Sequence, residues 1–247
     1  MPTSTPVAAR LPERPAPHDA VRSPRRSLTG LDVAMIAFYV LLAVCEAILG
    51  ALHAGWPSAI ALDAAELVAL LAFCLVPAWR PIIGRLLILG LTAGILELFT
   101  DAAGERVVHS LIYPSGEPML WTSPIYMPVA WTCVLTELGY FAWRIPQAFP
   151  SLPWRTLVAL GALFGAITVP FYEEMAYHAG WWRYAVAPRI GHTPLYVLLF
   201  EGLVGALLPL AVRDLTRRGF KHALLLGGAV GVWMPCAALC SWLLIGR

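Results

Sequence analysis

Seven apolar runs, each long enough to cross a hydrocarbon core of about 30 Å, set the frame for this chain. They lie at 30–51, 57–77, 81–101, 119–142, 155–177, 193–213 and 221–245. Of the 247 residues, 59% are hydrophobic and 13% charged, where a soluble domain of this length carries roughly 25% charge. Lipid is therefore the expected solvent, and the predicted fold is all-α: a polytopic membrane bundle of seven transmembrane helices over residues 29–247.

Lys and Arg positions orient the spans. With the N-terminus inside, thirteen cationic residues fall on the cytoplasmic side, among them Arg80, Arg85, Arg144, Arg155, Arg213, Arg217, Arg218 and Lys221. Four (Arg106, Arg183, Arg189 and Arg247) fall on the other side. This predicts a multi-pass protein of a bacterial-type inner membrane, with a cytoplasmic N-terminus and an extracytoplasmic C-terminus. Residues 1–28, rich in Pro and Arg, have the composition of a disordered cytoplasmic tail and lack the pattern of a cleaved signal peptide. A net charge of +2, with arginines at helix ends rather than in one stripe, argues against nucleic acid as a partner. Cys45, Cys74, Cys133, Cys236 and Cys240 sit inside apolar runs without a C-x-x-C pair, so neither a disulfide framework nor a zinc site is expected from them. Oligomeric state is not readable from the sequence.

A carboxylate within a transmembrane helix costs about 2.5–3.5 kcal/mol even on the lenient insertion scale, so each needs a partner, a cavity or a task. Glu46, Asp63, Glu66, Glu97, Asp101, Glu173, Glu174 and Glu201 all map to the outer half of the expected spans, and only Asp32 and Glu137 to the inner half. Acids from several helices at one depth predict a polar pocket open toward the outer leaflet. Whether Glu46, Asp63 and Glu66 join it stays open.

An internal correspondence runs through the same region. Glu97 and Asp101 are four residues apart, as are Glu174 and His178, the two pairs being related by a shift of 77 residues. Each pair therefore shares a helix face. Ser123-Pro124-Ile125-Tyr126 is matched by Thr193-Pro194-Leu195-Tyr196 at a shift of 70. Ser or Thr before Pro predicts a helix start, with the hydroxyl as N-cap. Glu46, Trp56-Pro57 and Glu66 give a fainter third copy, so the expected architecture is three hairpin-like repeats plus a closing helix.

Glu97, Tyr113 and the stretch Leu120-Trp121-Thr122-Ser123-Pro124-Ile125-Tyr126-Met127-Pro128-Val129-Ala130-Trp131 resemble the signature of the integral-membrane carotenoid hydratases. Glu173-Glu174, Trp182-Arg183-Tyr184 and Pro194-Leu195-Tyr196 are similar to the paired-glutamate element of the small membrane lycopene cyclases, although here Pro170 precedes the glutamates. The hydratase loop's glycines are mostly replaced by Asp101-Ala102-Ala103-Gly104. The resemblance covers helices 3 to 6. It implies cofactor-independent, acid-initiated alkene chemistry on a lipophilic isoprenoid: a carotenoid or terpene cyclase, hydratase (a lyase) or isomerase of carotenoid biosynthesis type, with the lipid bilayer as its surroundings.

The residues permit that chemistry. A carboxyl in a low-dielectric pocket beside other carboxylates keeps its proton until a substrate takes it. Glu97, Asp101, Glu173 and Glu174 are the candidate acids, and His178 a candidate base or orienting group. Tyr113, Trp121, Tyr126, Trp182, Tyr184 and Tyr196 could face a carbocation, with Glu201 completing the candidate substrate site. No metal is expected: His18, His53 and His222 read as remote from this cluster, which argues against a histidine-rich oxygenase or desaturase. The absence of an aspartate-rich diphosphate motif argues against a prenyltransferase. A transporter or a non-catalytic lipid-binding membrane protein is the alternative.

Overall fold

The computed structural model describes residues 28–185 and 187–246, so the expected N-terminal tail, Leu28 apart, lies outside the described residues. Among these, seven α-helices form: α1 (Gly30–Ala51), α2 (Trp56–Phe73), α3 (Arg80–Arg106), α4 (Met127–Ala148), α5 (Trp154–Ala179), α6 (Leu195–Val212) and α7 (Phe220–Ile245). All but α4 are long and apolar enough to cross a membrane. The 22-residue α4 carries Glu137, Arg144 and Gln147, and it packs against α2, α3, α5 and α6. A helix covered on so many sides can carry polar groups that a lipid-facing one could not.

Local chemistry explains the ends. Thr29 caps α1 through a reciprocal box with Asp32, satisfying two orphan amides. Gly180, in the left-handed conformation, closes α5. The helices pair as α3 with α4 and α5 with α6, while α7 packs on α3 and α6. Backbones meet where side chains are missing: a Cβ on Gly94 would lie 2.5 Å from the carbonyl oxygen of Pro128, and one on Gly165 2.5 Å from that of Glu201.

The α3–α4 and α5–α6 connections are built alike. β2 (Met119–Leu120) pairs with β3 (Ser123–Pro124), and β5 (Arg189–Ile190) with β6 (Thr193–Pro194). Both tight turns have positive φ at their first central residue, 62° at Trp121 and 58° at Gly191, as two-residue hairpins require. The two connections are joined by β1 (Leu111–Ile112) and β4 (Arg183–Tyr184), an antiparallel ribbon over one end of the bundle.

Two expectations are corrected here. Ser123 and Thr193 do not cap helices but sit in β3 and β6, and neither α4 nor α6 has a side-chain cap. The helix expected at 119–142 starts instead at Met127 and runs to Ala148, because Pro124 and the hairpin hold the preceding segment extended. Glu137 thereby moves from the inner half of its span to the middle of α4.

Candidate functional site

A cavity of about 390 Å³ lies inside the bundle and reaches the ribbon connections, within the range of small-molecule sites. All seven helices contribute to its wall. α3 supplies Glu97 and Asp101, α5 Glu173 and α6 Glu201. Glu46 comes from α1, Asp63 and Glu66 from α2, and Glu137 from α4. Among the described residues, no Lys, Arg or His lines it.

The acids fall into two groups with different bonding. Glu97, 1% exposed, stands one helical turn from Asp101, and both carboxyls line the cavity. Tyr113 donates to Asp101 Oδ2 at 2.5 Å. Burial, and then the Asp101 charge, push the Tyr113 phenol well above its ordinary value, so it remains a donor. On the facing helix α5, Glu173 accepts from Trp182 Nε1 at 2.8 Å and from the Tyr184 hydroxyl at 3.1 Å. Both oxygens therefore receive donors, which fixes the carboxyl in the cavity wall. Tyr196 lines the wall and bonds Ser110 Oγ through its hydroxyl at 2.6 Å.

Deeper in the bundle, Glu66 of α2 and Glu137 of α4 both line the cavity, and Oε1 of each has no hydrogen-bond partner. Asp63 is 6% exposed, and its Oδ2 has no hydrogen-bond partner.

The structure therefore brings together Glu97, Asp101, Glu173, Glu201, Tyr113, Trp182, Tyr184 and Tyr196, and adds Glu46, Asp63 and Glu66. Four candidates lie elsewhere. Glu174 and His178 are partly exposed and bond each other at 3.2 Å outside the cavity wall. Glu174 instead turns its two oxygens to His178 and His192. Trp121 is half exposed and packs on Phe99 and the Arg106 guanidinium. Tyr126 is buried and turned toward Glu117, its hydroxyl 3.5 Å from Oε2.

His53 is not remote: its Nδ1 is 2.7 Å from the backbone oxygen of His178. This contact spans 125 residues of chain, so no local sequence signal could have found it. Glu137, Trp131 and Tyr172 also line the cavity and were missed. Glu137 was visible as an intramembrane acid, but its depth depended on where α4 begins.

A family model described as a domain of unknown function (DUF6989) matches residues 98–245. That stretch holds Asp101, Glu173, Glu201 and the ribbon connections. No curated protein and no solved structure matches the chain.

Proposed function

We propose that this chain, which belongs to the DUF6989 family, is a membrane-embedded enzyme that protonates a carbon–carbon double bond of a lipophilic isoprenoid and then cyclises, isomerises or hydrates it. One observation carries this reading: a buried carboxyl pair, Glu97 and Asp101, lines the same cavity as Glu173, whose two oxygens receive donors from Trp182 and Tyr184. The pair supplies the proton, which adds to one alkene carbon and leaves a cation on the other. The aromatic faces of Tyr113, Trp182 and Tyr184 stabilise that cation. Glu173 then removes a proton from a neighbouring carbon, giving a shifted double bond; in the cyclisation branch a second double bond of the substrate first attacks the cation, closing the ring and moving the charge, before Glu173 takes the proton. In the hydration branch it takes a proton from water as the oxygen attacks, giving an alcohol. Either way the proton returns to the carboxyl cluster, and no redox partner is needed.

Seven spans with a cytoplasmic N-terminus, in a bacterial-type inner membrane, complete the proposal. The helix ends away from the ribbon carry Arg80, Arg144, Arg155, Arg213 and Lys221, while the ribbon end carries Arg106, Arg183 and Arg189. That asymmetry supports a ribbon facing outward. The matched turns of the α3–α4 and α5–α6 connections support the repeated-hairpin architecture.

The test is co-expression with carotenoid or other polyprenyl precursors and mass spectrometry of the lipid extract. A gain of one water marks a hydratase, and an unchanged mass with altered retention marks a cyclase or isomerase. Glu97→Gln and Glu173→Gln are each expected to lower product yield by at least about a hundredfold. Undiminished yield in both variants, or no product from any isoprenoid, would overturn the assignment in favour of a carrier or a lipid-binding protein.

A further inference from the structure

Outside the cavity wall, at the ribbon end, donor side chains from separate parts of the chain converge. Glu174 and His178 lie one turn apart in the last turns of α5, and His192 occupies the turn between β5 and β6. Glu174 uses both oxygens: Oε1 is 3.2 Å from His178 Nε2, and Oε2 is 2.9 Å from His192 Nδ1. The His192 backbone N–H donates to Oε2 as well, at 3.2 Å. One ligand atom from each of the three residues fits within a span of 4.8 Å.

The surroundings fix this geometry. A Cβ at residue 191 would stand 3.0 Å from Glu174 Oε2, so a glycine there, with φ of 58°, lets the turn close onto the carboxylate. The His192 imidazole is stacked on Tyr177 with ring centroids 3.5 Å apart and planes 12° apart, which holds its edge toward Glu174. His53, from the α1–α2 connection, stands with its ring centroid 6.2 Å from that of His178. The side chains of His178, His192 and Glu174 are 42%, 28% and 35% exposed, so an ion can enter from water.

We propose that Glu174, His178 and His192 bind a divalent transition-metal ion of the zinc class at the rim of the bundle, with a remaining position for water or His53. Two imidazoles and one carboxylate suit such an ion, whereas calcium and magnesium take oxygen donors. The ion ties the end of α5 to the α5–α6 connection. Glu173 lies on that helix end, and its partners Trp182 and Tyr184 lie in that connection, so the metal is a clasp on the geometry of the cavity rather than a participant in its chemistry.

Binding is measured without substrate, which separates this proposal from the alkene reading. Full-length protein, purified in detergent with a histidine-free tag and stripped with chelator, is titrated with Zn(II) by calorimetry. One ion per chain is expected. Glu174→Gln and His192→Asn are each expected to weaken affinity by at least about tenfold. Because a variant could simply misfold, thermal unfolding is followed with and without Zn(II). The wild type is expected to gain stability with Zn(II), while the variants unfold near the metal-free wild-type midpoint and gain little. Substoichiometric binding by the wild type, or equal Zn(II) affinity in the wild type and His192→Asn, would overturn the site.

Discussion

Adjacent glutamates on α5 show how much one residue's rotation decides. Glu173 enters the cavity and takes donors from Trp182 and Tyr184, while Glu174 turns to the two histidines outside. The sequence displays both acids but not which of them faces inward, because that depends on how α5 is rotated against α6. Long-range partners are equally hidden, since the approach of His53 to His178 is created by folding alone. What the sequence did show at this scale was the set of intramembrane carboxyls, conspicuous because each is costly in lipid. Glu117, in the α3–α4 connection, supplies a prediction of its own. It is 7% exposed, with a long contact to Tyr126, and burial pushes its carboxyl from 4.5 up to about 7. The folded state therefore holds this proton more firmly than the unfolded chain does. Below about pH 4.5 both states are protonated and no penalty exists; between there and about pH 7 the folded state loses stability as pH rises. Glu117→Gln is expected to remove that loss, so the variant's unfolding midpoint in detergent should rise relative to the wild type across this window. A relative fall would show that the ionised carboxylate is stabilised after all.

Elements were more legible than residues, though not at their joints. Length and hydropathy place all seven helices, and α1 matches its expected run at both ends. α4 is the exception: residues 119–126 are apolar enough to read as helix, yet Pro124 and a positive φ at Trp121 bend them into a hairpin. Hydropathy records affinity for lipid, not backbone conformation, so the strand pairs could not be seen in it. Helix pairing rests instead on small residues, which let backbones touch where lipid provides no hydrophobic drive between helices. At Gly165 a side chain would collide with the carbonyl of Glu201, the residue that places a cavity carboxyl on α6. Gly165→Val is therefore expected to cost about 1–3 kcal/mol through overpacking, read as a lower unfolding midpoint in detergent. Gly228→Val, at a position with nothing within 4 Å, is the comparison and should be near neutral. Equal midpoints for the two variants would mean that the α5–α6 contact yields at little cost.

For the whole molecule, the two ends of the bundle are chemically unlike, and this difference gives the cavity its direction. Opposite the ribbon, Arg144 binds Asp32 through Nε at 2.7 Å, and the Tyr140 hydroxyl donates to the same carboxylate at 2.6 Å. These contacts join α1 to α4 with a paired charge, whereas among the described residues no Lys, Arg or His lines the cavity. The cavity reaches the ribbon connections, and in the proposed orientation that end faces the outer leaflet. Labelling tests directly whether the ribbon lies outside the cell. In a background with the five native cysteines replaced by alanine, Ser115→Cys places a thiol in the exposed part of the α3–α4 connection, and Arg217→Cys places one between α6 and α7, where the arginine side chain is 85% exposed. In intact cells a membrane-impermeant maleimide is expected to label Ser115→Cys and to leave Arg217→Cys unmodified until the membrane is permeabilised. The reverse pattern would invert the protein and place the acid cavity toward the cytoplasm. Labelling of both thiols in intact cells would remove the odd number of crossings between these two positions, and with it the requirement that α4, the least apolar helix, spans the bilayer alongside α5 and α6.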